Sequence, residues 1–299
     1  MKPPPKSWAC RMAVAIGVVA AGCGSPAPAS QPVAHRIVSL VPSVTDLIIA
    51  LGVHDRLVAR TRYDTIPALT YLPAIGGTLD PSIEKLVDLA PDLVITGFPN
   101  QDGDVSGNLA RTGVRTLRVH AETLVDVWET LAVVGDRLGI RHRTDSLVSA
   151  IQDSLDAVRM TAAHDRVPSV LFLTWVSPPM TIGPRTFVHE LIDAAGGRNV
   201  FADVHSNWPT VSIEAVLQRD PDVIVLPVAA GDSVALAELR RTPGFQNLRA
   251  VRQGHVLLVD RDLFSRPGPR MHEAARELSN YLSGLKGPIS KGEFRDDWR

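Results

Sequence analysis

From Arg36 onward, short apolar runs alternate with segments whose apolar residues recur at helical spacing. Ile37-Val38-Ser39-Leu40-Val41 has the length and continuity of a buried strand and is broken by Pro42-Ser43. Ser43 is read as the cap of a helix carrying Leu47, Ile48 and Leu51 that stops at Gly52. Leu57–Ala59, Leu93–Ile95 and Val114–Val119 are further strands, and Leu109–Thr112 reads as a helix end before Gly113. A second series begins at Ser169. Strands at Val170–Leu173, Val223–Leu226 and Val256–Val259 alternate there with helices at Thr186–Ala195, Ala235–Arg240 and Met271–Leu285. Alternation of this kind predicts an α/β fold with parallel sheets flanked by helices.

Between the two series, Leu147, Ile151, Leu155, Val158 and Ala162 mark one apolar helical face. Thr144 and Asp145 suit its N-terminal cap, and a helix of about 20 residues is roughly 30 Å long. No Gly/Ser linker separates the halves. The expectation is two Rossmann-like lobes joined by a single stiff backbone helix, with limited hinge motion. The boundaries expected are a first lobe at 36–143, the connecting helix at 144–166, a second lobe at 167–286 and a frayed, charged tail at 287–299.

Residues 82–97 and 212–227 repeat at an offset of 130, with Ser82/Ser212, Ile83/Ile213, Glu84/Glu214, Pro91/Pro221 and Asp92/Asp222 identical. Each unit is a Ser-capped helix, a Pro-Asp turn and a buried strand. Shared α/β grammar explains much of this, since Ser caps helices and Glu suits a first turn. The repeat also suggests two similar lobes with a ligand cleft between them. It places Glu84 and Glu214 at matching positions, one per lobe, where two exposed carboxylates can meet arginines of a symmetric partner.

Composition changes the picture mainly at the start of the chain. Lys2, Lys6 and Arg11 precede a short apolar run, Met12–Ala21, that is too short to span a bilayer and ends in Ala20-Ala21-Gly22-Cys23. This reads as a leader at 1–22 with Cys23 as a lipidated first residue, followed by a Pro-rich tether at 23–35; a plain signal peptide cut near Ala29 is the alternative. The whole chain of 299 residues has 31 basic and 32 acidic side chains, a formal charge of −1. Losing the leader, which carries three basic residues and no acidic one, leaves 277 residues at −4. No basic excess exists to hold nucleic acid by counterion release. Both cysteines, Cys10 and Cys23, lie in this opening segment, so the body has neither an internal disulfide nor a thiolate metal site.

Further residues carry a family resemblance. Arg36-Ile-Val-Ser-Leu-Val-Pro-Ser-Val-Thr-Asp-Leu, Ala50-Leu-Gly-Val, Tyr63, Gly76-Gly-Thr-Leu-Asp-Pro-Ser-Ile-Glu84 and Ala90-Pro-Asp-Leu-Val-Ile95 resemble the ABC-transporter substrate-binding proteins for vitamin B12, ferric siderophores and haem. Asn207-Trp-Pro-Thr-Val-Ser-Ile-Glu214 and Asp262-Leu-Phe-Ser-Arg-Pro-Gly-Pro-Arg270 are similar to the vitamin B12 branch. The resemblance runs from about Arg36 to Leu285. It implies a monomeric binding protein, periplasmic or at the cell surface, held to the membrane through Cys23. Such a protein captures a ligand between two lobes and delivers it to an ABC permease dimer whose arginines meet Glu84 and Glu214.

For a corrinoid, cobalamin above all, the resemblance implies contacts from Tyr63, Trp208, Asp262 and Arg266. A corrin is wide, flat and largely apolar, so flat aromatics cover it and a few polar groups orient it. Thr78 and Gly97 stand where the B12 branch has tryptophans, and Leu263 where an aromatic is expected. Phe98, Trp175 and Met180 are expected to supply compensating surface. The alternative ligand is haem or a ferric siderophore, toward which Arg62, Arg185, Arg266 and Arg270, or Tyr63 as an axial ligand, would turn. No cofactor is expected beyond the ligand.

The nine histidines form no His-x-His or His-x-x-x-His pair, so no dedicated metal site is signalled; His205, near Trp208, reads as a solvated loop residue. No Gly-x-Ser-x-Gly elbow and no phosphate loop appear, which places a hydrolase far below a binding protein.

Overall fold

The computed structural model describes Met1 and residues 32–97, 105–162, 167–229 and 234–285. Cys23, Phe98, the leader beyond Met1, most of the tether and the tail at 287–299 lie outside the described residues. Two units are distinguished, Met1–Pro32 and Val33–Arg299, and every element below belongs to the second.

The first lobe runs β1 (Ile37–Ser39), α1 (Pro42–Ala50), β2 (Leu57–Ala59), α2 (Ile83–Asp88), β3 (Leu93–Thr96), α3 (Val105–Arg111), β4 (Thr116–Arg118) and α4 (Leu124–Leu138). Helix α5 (Arg141–Thr161) leads into the second lobe. There follow β5 (Ser169–Phe172), α6 (Phe187–Ala194), β6 (Arg198–Asn199), α7 (Ile213–Arg219), β7 (Val223–Val228), α8 (Val234–Arg241), α9 (Arg249–Gln253), β8 (Val256–Asp260), α10 (Arg261–Ser265) and α11 (Met271–Ser283). The sheets are ordered β2-β1-β3-β4 and β6-β5-β7-β8, so each lobe has the same topology. Every strand pair is parallel. Central strands are buried on both faces, which is why they read as continuous apolar runs rather than alternating ones.

The sequence repeat corresponds to this structural repeat. Ser82 and Ser212 cap α2 and α7 by accepting from Lys85 N at 3.3 Å and Ala215 N at 3.1 Å. Asp92 and Asp222 then tie each turn to the start of the neighbouring strand, accepting from His35 N, just before β1, at 2.8 Å and from Ser169 N, the first residue of β5, at 2.9 Å. Ala90 and Asp220, just before the matched prolines, share left-handed backbone at φ 44° and 36°. Proline disfavours helical backbone in the residue before it, so both helices must break there.

Several helix starts differ from expectation, and three of them matter for packing. Helix α1 begins at Pro42, whose fixed φ suits a first helical position, and Ser43 lies inside the helix instead of capping it. The connecting helix begins at Arg141, three residues earlier than expected, and the helix ends at Thr161 rather than running to 166. Thr144 is buried in it, with its hydroxyl donating back to Arg141 O at 2.7 Å. The reason is tertiary: Thr144 packs against Gly135 of α4, where an added Cβ would sit 2.2 Å from its Oγ1. Helix α4 itself was not expected. A capping box starts it, in which the Thr123 hydroxyl accepts from Asp126 N and the Asp126 carboxylate accepts from Thr123 N.

The predicted apolar face of α5 is present. Ile151, Leu155 and Val158 are at most 3% exposed. They join one apolar core that runs from Ile37 and Leu47 through α4 and α5 to Phe187, Val225 and Leu278. At 25 cal/mol per Å², burying each such aliphatic side chain is worth about 1.5–3 kcal/mol. The connecting helix therefore lies in the core that both lobes share.

Candidate functional site

Ligands of open α/β sheets bind beyond the carboxyl ends of the strands. Among the described residues, loops at those ends carry Tyr63 in the first lobe and Trp175, Met180 and Trp208 in the second, while Asp262 lies in α10 and Arg266 just after it. After β2, a turn held by Thr61 presents Tyr63. Asp64 is fully buried and accepts from Thr61 N at 2.8 Å and Thr61 Oγ1 at 2.7 Å. Tyr63 is 49% exposed. Its ring lies beside Gly77, where a Cβ would come 3.2 Å from Tyr63 Cε2, so a side chain there would push the ring aside.

In the second lobe, the loops after β5 and β6 knit together. Trp175 pairs with Met180, and Met180 in turn with Thr210, in isolated antiparallel bridges. Thr181 N donates to Pro209 O at 3.0 Å, Val211 N to Pro179 O at 2.9 Å and Gly183 N to Asn207 O at 2.8 Å. Trp175, Met180 and Trp208 thus belong to one loop cluster. Trp175 is 62% exposed, with its Nε1 donating to Ser177 O at 3.0 Å. Trp208 is half-buried and packs on the shared core.

Two contacts cross from lobe to lobe at these loops. Arg266 Nη2 donates to Tyr63 O at 2.9 Å and pairs with Asp262 at 3.1 Å, while Nη1 lies 3.6 Å from Asp46 of α1. Desolvation raises the Asp46 pKa, with the nearby Asp64 and Asp262 charges adding to it and Arg266 opposing it. The second contact is centred on Glu122, in the loop after β4. Its Oε2 accepts from Trp208 Nε1 at 2.9 Å and Asn207 Nδ2 at 3.3 Å, and its carbonyl accepts from Phe187 N at 2.5 Å. Glu190 of α6 returns a bond to the first lobe by accepting from Leu124 N at 2.7 Å.

The sequence assigns no role to Glu122 or, beyond opening the Asn207–Glu214 segment, to Asn207. Glu122 belongs to no motif, and its partners lie 85 and 86 residues away. The one available hint was the adjacency of Asn207 to the Trp208-Pro209 pair.

The other arginines weighed for an anionic ligand are engaged within their own lobes. Arg62 pairs with Asp80 at 2.5 Å, Arg270 with Glu273 at 2.7 Å, and Arg185 donates to His205 O at 3.0 Å. His205 is an exposed loop residue. Among the described residues, no group of three or more His, Cys, Asp or Glu could hold a metal ion.

Glu84 and Glu214 are exposed in the first turns of α2 and α7, in separate lobes. The Glu214 carboxyl is held below its ordinary pKa by its own backbone N–H and by the Ser212 hydroxyl. Among the described residues no helix is long and apolar enough to cross a membrane.

Residues 37–263 match a family described as periplasmic binding protein. The chain is 28% identical to an ABC transporter substrate-binding lipoprotein of Bacillus subtilis, covering 92% of this chain and 96% of that one. It is 29% identical to a cobalamin-binding protein of Halobacterium salinarum, over 84% of this chain and 69% of the relative. Among solved structures it is similar to a periplasmic haem-binding protein of Roseiflexus. There the TM-score is 0.74 at 27% identity, covering 84% of this chain and 98% of the other.

Proposed function

We propose, from the premise that this chain belongs to the periplasmic binding protein family, that its ligand is a corrinoid. The coarser function is plain: it is a substrate-binding protein of an ABC importer, of the class that handles vitamin B12, haem or ferric siderophores, and not an enzyme. The corrinoid reading rests on one observation above others. The loops at the strand ends offer exposed flat aromatics, Tyr63 from one lobe and Trp175 from the other, with the half-buried Trp208 beside the latter. Three of the four candidate arginines, Arg62, Arg266 and Arg270, are already paired with carboxylates. An anionic ferric chelate would have to break such pairs, whereas a largely apolar, amide-fringed ring needs aromatic area and few charges. The relative named for cobalamin supports the same reading.

In this reading Tyr63, Phe98, Trp175, Met180 and Trp208 cover the ring, and Asp262 with Arg266 sets its edge. The loaded protein docks on a permease through Glu84 and Glu214, and lipid at Cys23 keeps it at the membrane. The exposed Tyr63 and the likeness to a haem-binding protein favour haem as the second reading. Titrating the purified protein with cyanocobalamin, haem and a ferric hydroxamate separates the two. Saturable cyanocobalamin binding at micromolar concentration or tighter is expected. Absence of that binding alongside tight haem or chelate binding would sink the corrinoid reading.

A further inference from the structure

We infer that Glu122 is a positioning residue for the ligand platform: its carboxylate reaches across from the first lobe to fix the Trp208 indole of the second. This deepens the reading above and rests on it for the ligand, but not for the bond itself.

The argument starts from the indole. Trp208 lies in a loop whose backbone is held on either side of it, by Gly183 N donating to Asn207 O and Thr181 N to Pro209 O, and its ring packs on the core. One ring edge carries a single donor, Nε1–H, and that donor meets Glu122 Oε2 at 2.9 Å. A bond to a carboxylate is roughly twice as strong as a neutral one. It is also oriented, because the same oxygen accepts from Asn207 Nδ2 at 3.3 Å, so the residue before the tryptophan is held as well. Glu122 is in turn fixed by its own backbone, whose carbonyl accepts from Phe187 N at the start of α6. The half-buried indole packs on the apolar core, whose low local polarity strengthens such a bond.

The bond is also a measure of lobe spacing. Glu122 follows β4 of the first lobe and Trp208 follows β6 of the second, so separating the lobes by more than about 1 Å would break it. The ring pose and the interlobe distance are therefore coupled. A ligand that needs the indole in this pose also selects this spacing.

A ligand-free measurement tests the bond first. In protein labelled with ¹⁵N-tryptophan, Trp208→Phe identifies the Trp208 indole N–H peak. That peak is expected downfield and protected from solvent exchange, and Glu122→Ala should shift it upfield and remove the protection. An unmoved, still protected peak in Glu122→Ala overturns the inference, whatever the ligand.

The ligand arm uses cyanocobalamin. Glu122→Ala should weaken binding about tenfold, the scale of one hydrogen bond to a charged group. Glu122→Gln, which keeps an acceptor, should restore most of the loss. In a Trp208→Phe background, which keeps a flat ring without the donor, Glu122→Ala should cost less than about twofold. Equal losses in both backgrounds would mean that Glu122 acts by general packing, and would overturn the positioning role. If wild-type protein fails to bind cyanocobalamin, the corrinoid reading falls while the indole peak still decides Glu122.

Discussion

Arg266 is one side chain that bonds to both lobes, and in the proposed function it also meets the ligand. Its three acceptors belong to both lobes: Asp262 to the second, Tyr63 O and Asp46 to the first. Asp46 is the strained member, because burial raises its pKa and Arg266 opposes that rise without cancelling it. The unfolded chain then has the lower Asp46 pKa. The contribution to stability is present at low pH and is lost as pH rises through the folded value. Wild-type protein should therefore lose melting temperature relative to Asp46→Asn as pH is raised from about 3 to about 6. Calorimetric scans of both proteins across that range check the sign. A growing advantage for wild type would show that the Arg266 pair outweighs burial.

At the scale of elements, the connecting helix carries the sharpest energetic expectation. Leu155 is 1% exposed within the core common to both lobes, whereas Leu147 on the same face is only half-buried. Leu155→Ala should cost about 2–5 kcal/mol and Leu147→Ala clearly less, read from denaturant midpoints at constant slope. Equal costs would mean that the helix is not buried most deeply at its centre. The same helix shows what was legible in the sequence. Its apolar stripe from Leu147 to Ala162 follows from helical period alone, and so do the buried strands. Its start does not, because Thr144 has the chemistry of a cap but sits against Gly135 of a helix six residues away in sequence. Helix α4 is hard to see in the sequence because its start is marked only by the polar capping box of Thr123 and Asp126 and by no break in an apolar run. Loop aromatics such as Trp175 and Trp208 stand out in the sequence, and the structure brings them into one loop cluster. Glu122 does not stand out, because its meaning lies entirely in a neighbour that folding supplies.

For the whole molecule, the matched topology of the lobes gives the two helix-start glutamates their proposed use. Each lobe repeats the order edge, centre, centre, edge, with the Ser-capped helix entering the third strand of its sheet. Glu84 and Glu214 are thus the same structural position displayed twice, as a partner built from two equivalent halves requires. Both are exposed, and the Glu214 carboxyl is held below its ordinary pKa by its own backbone N–H and the Ser212 hydroxyl. Neither touches the loops that carry Tyr63, Trp175 or Trp208 in any of the bonds described, so docking and ligand capture are separable. Reversing one charge, Glu84→Lys or Glu214→Lys, should reduce uptake of labelled ligand by cells several-fold. Reversing both should reduce it by more than about tenfold, since each charge-assisted carboxylate–arginine bond lost at the docking face adds to the other. Affinity of the purified double variant for ligand should stay within about twofold of wild type, because additivity fails only between neighbouring sites. Loss of ligand affinity in step with uptake would place the glutamates in the ligand site instead. Uptake unchanged in the double variant would remove the docking role altogether.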